Sequence, residues 1–159
     1  MAARVFLNYL YATLTESAAD VFVQATIATP VAGTGFAGVV REIVVAWPRP
    51  NIVAAANAEI ALTRKTLTAM PDIDEKSLIF KRKRYIELGT QGAFFDPDGV
   101  QVLQYTDEQA PVIVEPNWYC QFDSAASGIA LVAKIRIGYT LEKISEVDRL
   151  SIIATSLQS

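Results

Sequence analysis

Apolar and polar residues alternate with period two along most of this chain. The longest run is Ile129–Tyr139, where Ile129, Leu131, Ala133, Ile135, Ile137 and Tyr139 fall on one face and Lys134 and Arg136 on the other. Successive side chains of a strand point to opposite sides, so this pattern predicts a half-buried antiparallel strand. Val21–Thr29 repeats it, with Val21, Val23, Ala25 and Ile27 opposite Gln24 and Thr26. Val39–Trp47, Glu59–Thr68 with Ile60 and Leu62 inward, Ser77–Leu88, Val100–Tyr105, Pro111–Glu115 and Trp118–Asp123 read as further strands. Val5–Leu14 is apolar on both faces and fits a helix or a buried strand equally.

Turn chemistry separates these runs. Pro30–Gly38 turns the chain, and Pro48-Arg49-Pro50-Asn51 ends the strand before it, because proline cannot donate to a ladder. Asp96-Pro97-Asp98-Gly99 predicts a tight turn that leads a hairpin into Val100–Tyr105, with Gly89–Phe95 before it as loop or strand. Pro116-Asn117 and the small residues Ser124–Gly128 mark two more loops. Ser145-Glu146-Val147-Asp148 carries a capping hydroxyl and first-turn acids ahead of Leu150, Ile152 and Ile153, which predicts one or two helical turns. Eight or so short strands indicate an all-β sandwich or barrel of antiparallel sheets. The expected organisation is one domain: an N-terminal segment 1–16, the sandwich 17–144 and a C-terminal segment 145–159. No repeat of fixed period divides it.

Composition changes this picture in one respect. The chain has 159 residues, 52% hydrophobic and only 19% charged, against about 25% charged in ordinary domains. Either a β-rich core with many Ala and Val accounts for this, or the protein buries further surface against its own copies. Net charge is −3 and the pI is about 5.0, so the overall field does not favour nucleic acid. Met1–Leu14 has no small-residue cleavage site, so no signal peptide is expected. Val21–Val40 is twenty residues without a charge, but its Gln24, Thr26, Pro30 and glycines fit strand, loop and strand, so no membrane span is expected.

The chain has no histidine, which excludes Ser-His-Asp and Cys-His catalysis, histidine-ligated zinc and the metal set usual in cupins. Cys120 is the single cysteine; it faces the same way as Trp118 and Phe122 and reads as a small buried hydrophobe. Asp72, Asp74 and Glu75 after Pro71, and Asp96 and Asp98 around Pro97, sit where polar turn residues belong; a carboxylate hydrolase is the competing reading. Gly33-Thr34-Gly35 lacks the strand–helix setting of a phosphate loop. No catalytic, cofactor-binding or metal-binding residue is expected.

Lys81, Arg82, Lys83 and Arg84 form the one charge run. On a strand the two lysines point one way and the two arginines the other, with Leu78, Phe80, Ile86 and Leu88 on the arginine side. Such a strand must leave the core midway, bulge, or lie at an edge, where lysines oppose strand-to-strand aggregation. These four residues are the candidate subunit-interface contact or, through phosphates and without sequence specificity, a nucleic-acid contact.

Pro111–Ser124, the small-residue loop after it, Ile129–Ile137 and Gly138-Tyr139-Thr140-Leu141-Glu142-Lys143-Ile144-Ser145 together resemble single jelly-roll capsid proteins of icosahedral viruses. The wording is most similar to small capsid proteins of environmental bacterial and archaeal viruses. The resemblance implies an antiparallel eight-stranded jelly-roll sandwich with a short C-terminal helix. It also implies a virion protein, assembled in the host cytoplasm into a high-order symmetric homo-oligomer, alone or beside a second capsid protein. The first forty residues carry only Arg4, unlike the basic N-terminal arms with which many such proteins neutralise packaged RNA. The segments Met1–Leu14 and Ser145–Ser159, outside the expected strands, are expected to reach neighbouring copies. The rival reading is a carbohydrate- or receptor-binding β-sandwich that uses exposed Trp47, Trp118 or nearby tyrosines as stacking platforms.

Overall fold

The alternating runs become strands of two facing sheets. The computed structural model describes residues 7–31, 35–47, 56–86 and 100–157. Its elements are β1 (Asn8–Thr15), β2 (Val23–Ala28), β3 (Phe36–Ala46), β4 (Ala56–Thr63), β5 (Leu78–Ile86), β6 (Val100–Gln104), β7 (Val112–Ile113), β8 (Asn117–Ala125), β9 (Val132–Lys143) and α1 (Glu146–Leu157). Sheet A runs β1-β9-β3-β6, with the two-residue β7 also on β3; sheet B runs β2-β8-β4-β5. Every pairing is antiparallel. Eight strands that pass back and forth between two such sheets form a jelly roll.

The core lies between the inner faces. Leu14, Ile43, Ile135 and Ile137 from sheet A meet Ile60, Leu62, Trp118 and Phe122 from sheet B, all fully buried. In β9, Ala133, Ile135, Ile137 and Tyr139 face in and Lys134 faces out, as the alternation predicts. Cys120 is buried among them, and loss of water around its thiol holds the pKa far above the usual cysteine range. Trp47 and Trp118 are buried too. Their indoles serve the core, with Nε1 donating to Gln101 Oε1 (3.1 Å) and to Glu115 Oε2 (3.0 Å), so neither is an exposed stacking platform.

Several expectations need correction. Asn8–Thr15, expected to lie outside the strands, is β1 itself. It pairs along its whole length with β9 and buries Leu14. Its outer positions Tyr9 and Tyr11 are amphipathic, so the run looked apolar on both faces. Ile129 and Val21 are exposed just before their strands begin. The strand expected over Glu59–Thr68 stops at Thr63, where the Thr63 hydroxyl donates to Lys65 O (2.7 Å) and turns the chain. Of Pro111–Glu115, only two residues pair as β7. The helix runs for 12 residues rather than one or two turns. Ser145 Oγ accepts from Asp148 N (3.1 Å) at its cap, as the capping hydroxyl predicted. The Asp96–Gly99 turn and the Gly89–Phe95 segment lie outside the described residues; β6, which follows them, pairs with β3.

A bulge in β3 is absent from the sequence reading. Val40 pairs with Tyr139 and Glu42 with Gly138, which leaves Arg41 as the extra residue. Val40 faces in before it, and Ile43 and Val45 face in after it. One inserted residue therefore moves the buried set from even to odd positions. Arg41 uses its displaced position to donate to Thr140 Oγ1 (3.1 Å) and Glu142 Oε1 (2.8 Å), and it also pairs with Asp107.

The register of β9 is directly testable. Ile135→Ala removes a fully buried side chain and should destabilise the protein by about 2–5 kcal/mol. Lys134→Ala, on the opposite face, should change the chemical denaturation midpoint of the isolated subunit very little. Equal, small losses at both positions would contradict this register.

Candidate assembly surfaces

The outer faces of the two sheets differ sharply. Sheet B is roofed by the loop between β4 and β5. Leu67 N donates to Gln24 Oε1 (2.9 Å), Gln121 Nε2 donates to the same oxygen (2.9 Å) and to Thr63 Oγ1 (2.7 Å), and Lys81 Nζ donates to Pro71 O (2.7 Å). Gln121 and Ala61, on the outer side of this sheet, are consequently buried. The acidic residues of the loop serve its turns: Asp72 and Asp74 are exposed, and Glu75 accepts from Ser77 N (3.1 Å) and Oγ (2.9 Å). Those bonds, the backbone one foremost, hold the Glu75 carboxyl below its usual range. Among the described residues no group of His, Cys, Asp and Glu is placed to hold a metal ion.

Sheet A has no such roof among the described residues. Strand register sets Tyr11, Arg136, Val44 and Val102 side by side in one row across it, and Thr13, Lys134, Ala46 and Val100 in the next. Tyr11 is 68% exposed and Val102 57%. Arg136 lies over the Tyr9 ring, 4.9 Å from its centroid, and pairs with Glu42 at 3.2 Å. Gly138 allows this closeness, since a Cβ there would sit 2.8 Å from Glu42 Cγ and 3.2 Å from the Tyr9 ring.

The basic run lies on β5, which among the described residues pairs only with β4 and so forms an edge of sheet B. A register shift near its start leaves Ile79 extra, so the strand both bulges and lies at an edge. Lys81 and Lys83 project from the outer face and flank Glu59, at 3.8 and 3.3 Å. Arg82 is on the other side at the rim between the sheets, 5.6 Å from the centre of the Phe80 ring, and Arg84 follows on that same side. The four charges are thus divided between two surfaces.

One end of the sandwich is tied by carboxylates that the sequence reading did not single out. Buried Glu16 accepts from Ser124 Oγ (2.7 Å) and Leu131 N (2.8 Å), which joins the exit of β1 to β8 and β9. Burial raises its pKa against the opposing pull of those bonds. Asp20, at φ 57°, accepts from Ser127 N (3.0 Å) and Oγ (2.8 Å), and these bonds hold its carboxyl below the usual range. At the other end, buried Arg149 of α1 donates to Val31 O and Val114 O, both at 3.1 Å.

No protein-family description and no curated protein matches the chain. One solved structure with a TM-score above 0.5 shares its fold. A chain from the X-ray structure of tomato aspermy virus superposes with a TM-score of 0.52 at 14% identity, over 92% of this chain and 82% of that one. A chain of desmodium yellow mottle tymovirus aligns over 92% of this chain and 94% of that one, with 7% identity and a TM-score of 0.36.

The clamp at Asp20 predicts a pH dependence. A carboxyl whose folded pKa is depressed contributes stability above its unfolded value and loses it as pH falls through the folded value. The melting temperature should therefore drop below about pH 4, the ordinary aspartate value, and Asp20→Asn should flatten that drop while keeping the accepting oxygen. Glu16 acts in the opposite direction: its raised pKa costs stability as pH climbs through its ordinary value towards the raised one. Parallel acid-side melting curves for the wild type and Asp20→Asn would contradict the assignment.

Proposed function

We propose that this chain is a structural subunit of an icosahedral viral shell, that it assembles with copies of itself, and that it is not an enzyme. The observation that carries this reading is the strand order, β1-β9-β3-β6 facing β2-β8-β4-β5. This is the jelly roll, an architecture shared by viral capsid domains, lectins and cupins. The absence of histidine from the sequence argues against the cupin metal set, and burial of Trp47 and Trp118 argues against a lectin that stacks sugars on tryptophan. The superposition on a chain of tomato aspermy virus supports the capsid member of that set. The protein belongs in the virion on this reading and assembles in the host cytoplasm, alone or with a second capsid protein. The finer likeness to capsid proteins of environmental bacterial and archaeal viruses rests on the Pro111–Ser145 wording; the solved neighbours bear on the fold.

Within this reading Lys81, Arg82, Lys83 and Arg84 serve an edge or subunit contact. The two lysines already share Glu59, and the two arginines face the other way, so the run offers no single cationic track for a phosphate backbone.

Two measurements test these statements. Electron microscopy and sedimentation of the purified protein at high concentration should show closed shells or rings; a monomer or dimer that binds a glycan would overturn the shell reading. Lys81→Gln combined with Lys83→Gln should alter solubility or assembly and leave nucleic-acid affinity at background. Tight, steeply salt-dependent binding by the parent, lost in the variant, would instead establish a phosphate contact.

A further inference from the structure

We propose that the outer face of sheet A is the docking site for helix α1 of a second copy of this chain, an inference that rests on the shell-subunit reading. Helix α1 is pinned to its own subunit by the buried Arg149 side chain, and this fixes which face it turns outward. That face carries two large apolar side chains, Val147 at 77% exposure and Leu150 at 56%, beside exposed Ser151 and Ala154. Acidic Glu146 and Asp148 flank Val147 in the first turn. A helix held this way cannot roll its apolar stripe into its own core, so the stripe is left for a partner.

The outer face of sheet A has matching chemistry. A groove of about 150 Å³ runs between Tyr11, Thr13, Val44, Ala46, Lys134 and Arg136, a volume comparable to a cavity that admits a benzene-sized group. Its two rows of side chains are about 7 Å apart along the strands, and Val147 and Leu150 are about 5–6 Å apart along the helix. The helix can therefore set one side chain on each row. Arg136 in the groove is held by Glu42 and Asp148 on the helix accepts from Ser145 Oγ, so the charge match is between Lys134 and Glu146. Lys134 in the groove and Glu146 on the helix make no ion pair among the described residues.

The helix of the same chain cannot reach this groove, so a helix that matches it comes from another copy. Lys134 lies near the start of β9, and α1 begins after the strand ends at Lys143, about 30 Å further along an extended chain. Ile152 and Thr155 of the helix instead line a cleft with Arg64 and Leu78 at the end of sheet B. Helix and groove are different patches of one molecule, and the shell reading selects the head-to-tail arrangement over a reciprocal two-fold dimer. Repeated head-to-tail contacts generate rings where the rotation closes and open filaments where it does not.

The test uses the full chain. Lys134→Glu and Glu146→Lys should each raise the concentration needed for assembly by about twofold to fivefold per contact, as expected for a surface ion pair, and combining them should restore the original threshold. Leu150→Glu should abolish assembly while the subunit keeps its circular dichroism spectrum. Tyr11→Cys with Leu150→Cys should give a ladder of disulfide-linked multimers beyond the dimer under mild oxidation, with Cys120 buried and silent. Shells that form at an unchanged threshold in the charge variants and in Leu150→Glu, with no ladder, would overturn this docking and leave the shell reading intact. A wild type that stays monomeric at high concentration would overturn both. A glycan that protects Tyr11 while the ladder fails to form would replace the second copy as occupant.

Discussion

The two-layer core is the constraint on which the rest of this structure depends. Side chains alternate along each strand, so each strand sends one face into the core between the sheets, which meet along Ile135 and Ile137 on one side and Trp118 and Phe122 on the other. Alternation in β9 forces Lys134 and Arg136 to the outside wherever Ile135 and Ile137 go inside. The outer surface of sheet A is therefore a consequence of core packing. The β4–β5 loop hides the corresponding surface of sheet B, so the two faces of the sandwich differ in what remains to be covered.

Much of this fold was legible in the sequence. The strands of β2, β8 and β9 follow directly from period-two alternation, and the helix start follows from Ser145 and the acids behind it. The run over Val5–Leu14 fitted helix and strand equally, because Tyr9 and Tyr11 count as apolar in a pattern while standing on an exposed face. Only the pairing with β9 separates them from Leu10, Ala12 and Leu14. The bulge at Arg41 was illegible for a related reason: alternation breaks there, and a pattern reader discards a broken pattern. The adjacent charged pair Arg41-Glu42 in an otherwise apolar strand was the available signal, since two successive charges cannot both face out of a regular strand that is buried on one side. The helix exceeds its expected length because Arg149 finds two carbonyls 35 and 118 residues away, which no local propensity reports.

The candidate surfaces were legible only in part. The basic run could be read as two-faced from its spacing, and β5 does bulge and lie at an edge. The outer patch of sheet A could not be read at all, because Tyr11, Val44, Val102 and Arg136 come from four strands and meet only through register. The same holds for Glu16 and Asp20, whose partners lie about a hundred residues downstream. The low charge content was the one global hint of apolar surface outside the core, and strand pairing groups part of that surface on sheet A.

On the proposed reading this face, exposed among the described residues, is covered in the native protein by another copy. Hydroxyl-radical footprinting of Tyr9 and Tyr11, compared between dilute and concentrated protein, measures that coverage directly. Tyr11, 68% exposed in the single chain, should be labelled readily at low concentration and become strongly protected once the protein assembles, while Ile73, 93% exposed on the β4–β5 loop, reports any general loss of reactivity. Equal labelling of Tyr11 in both states would contradict the account.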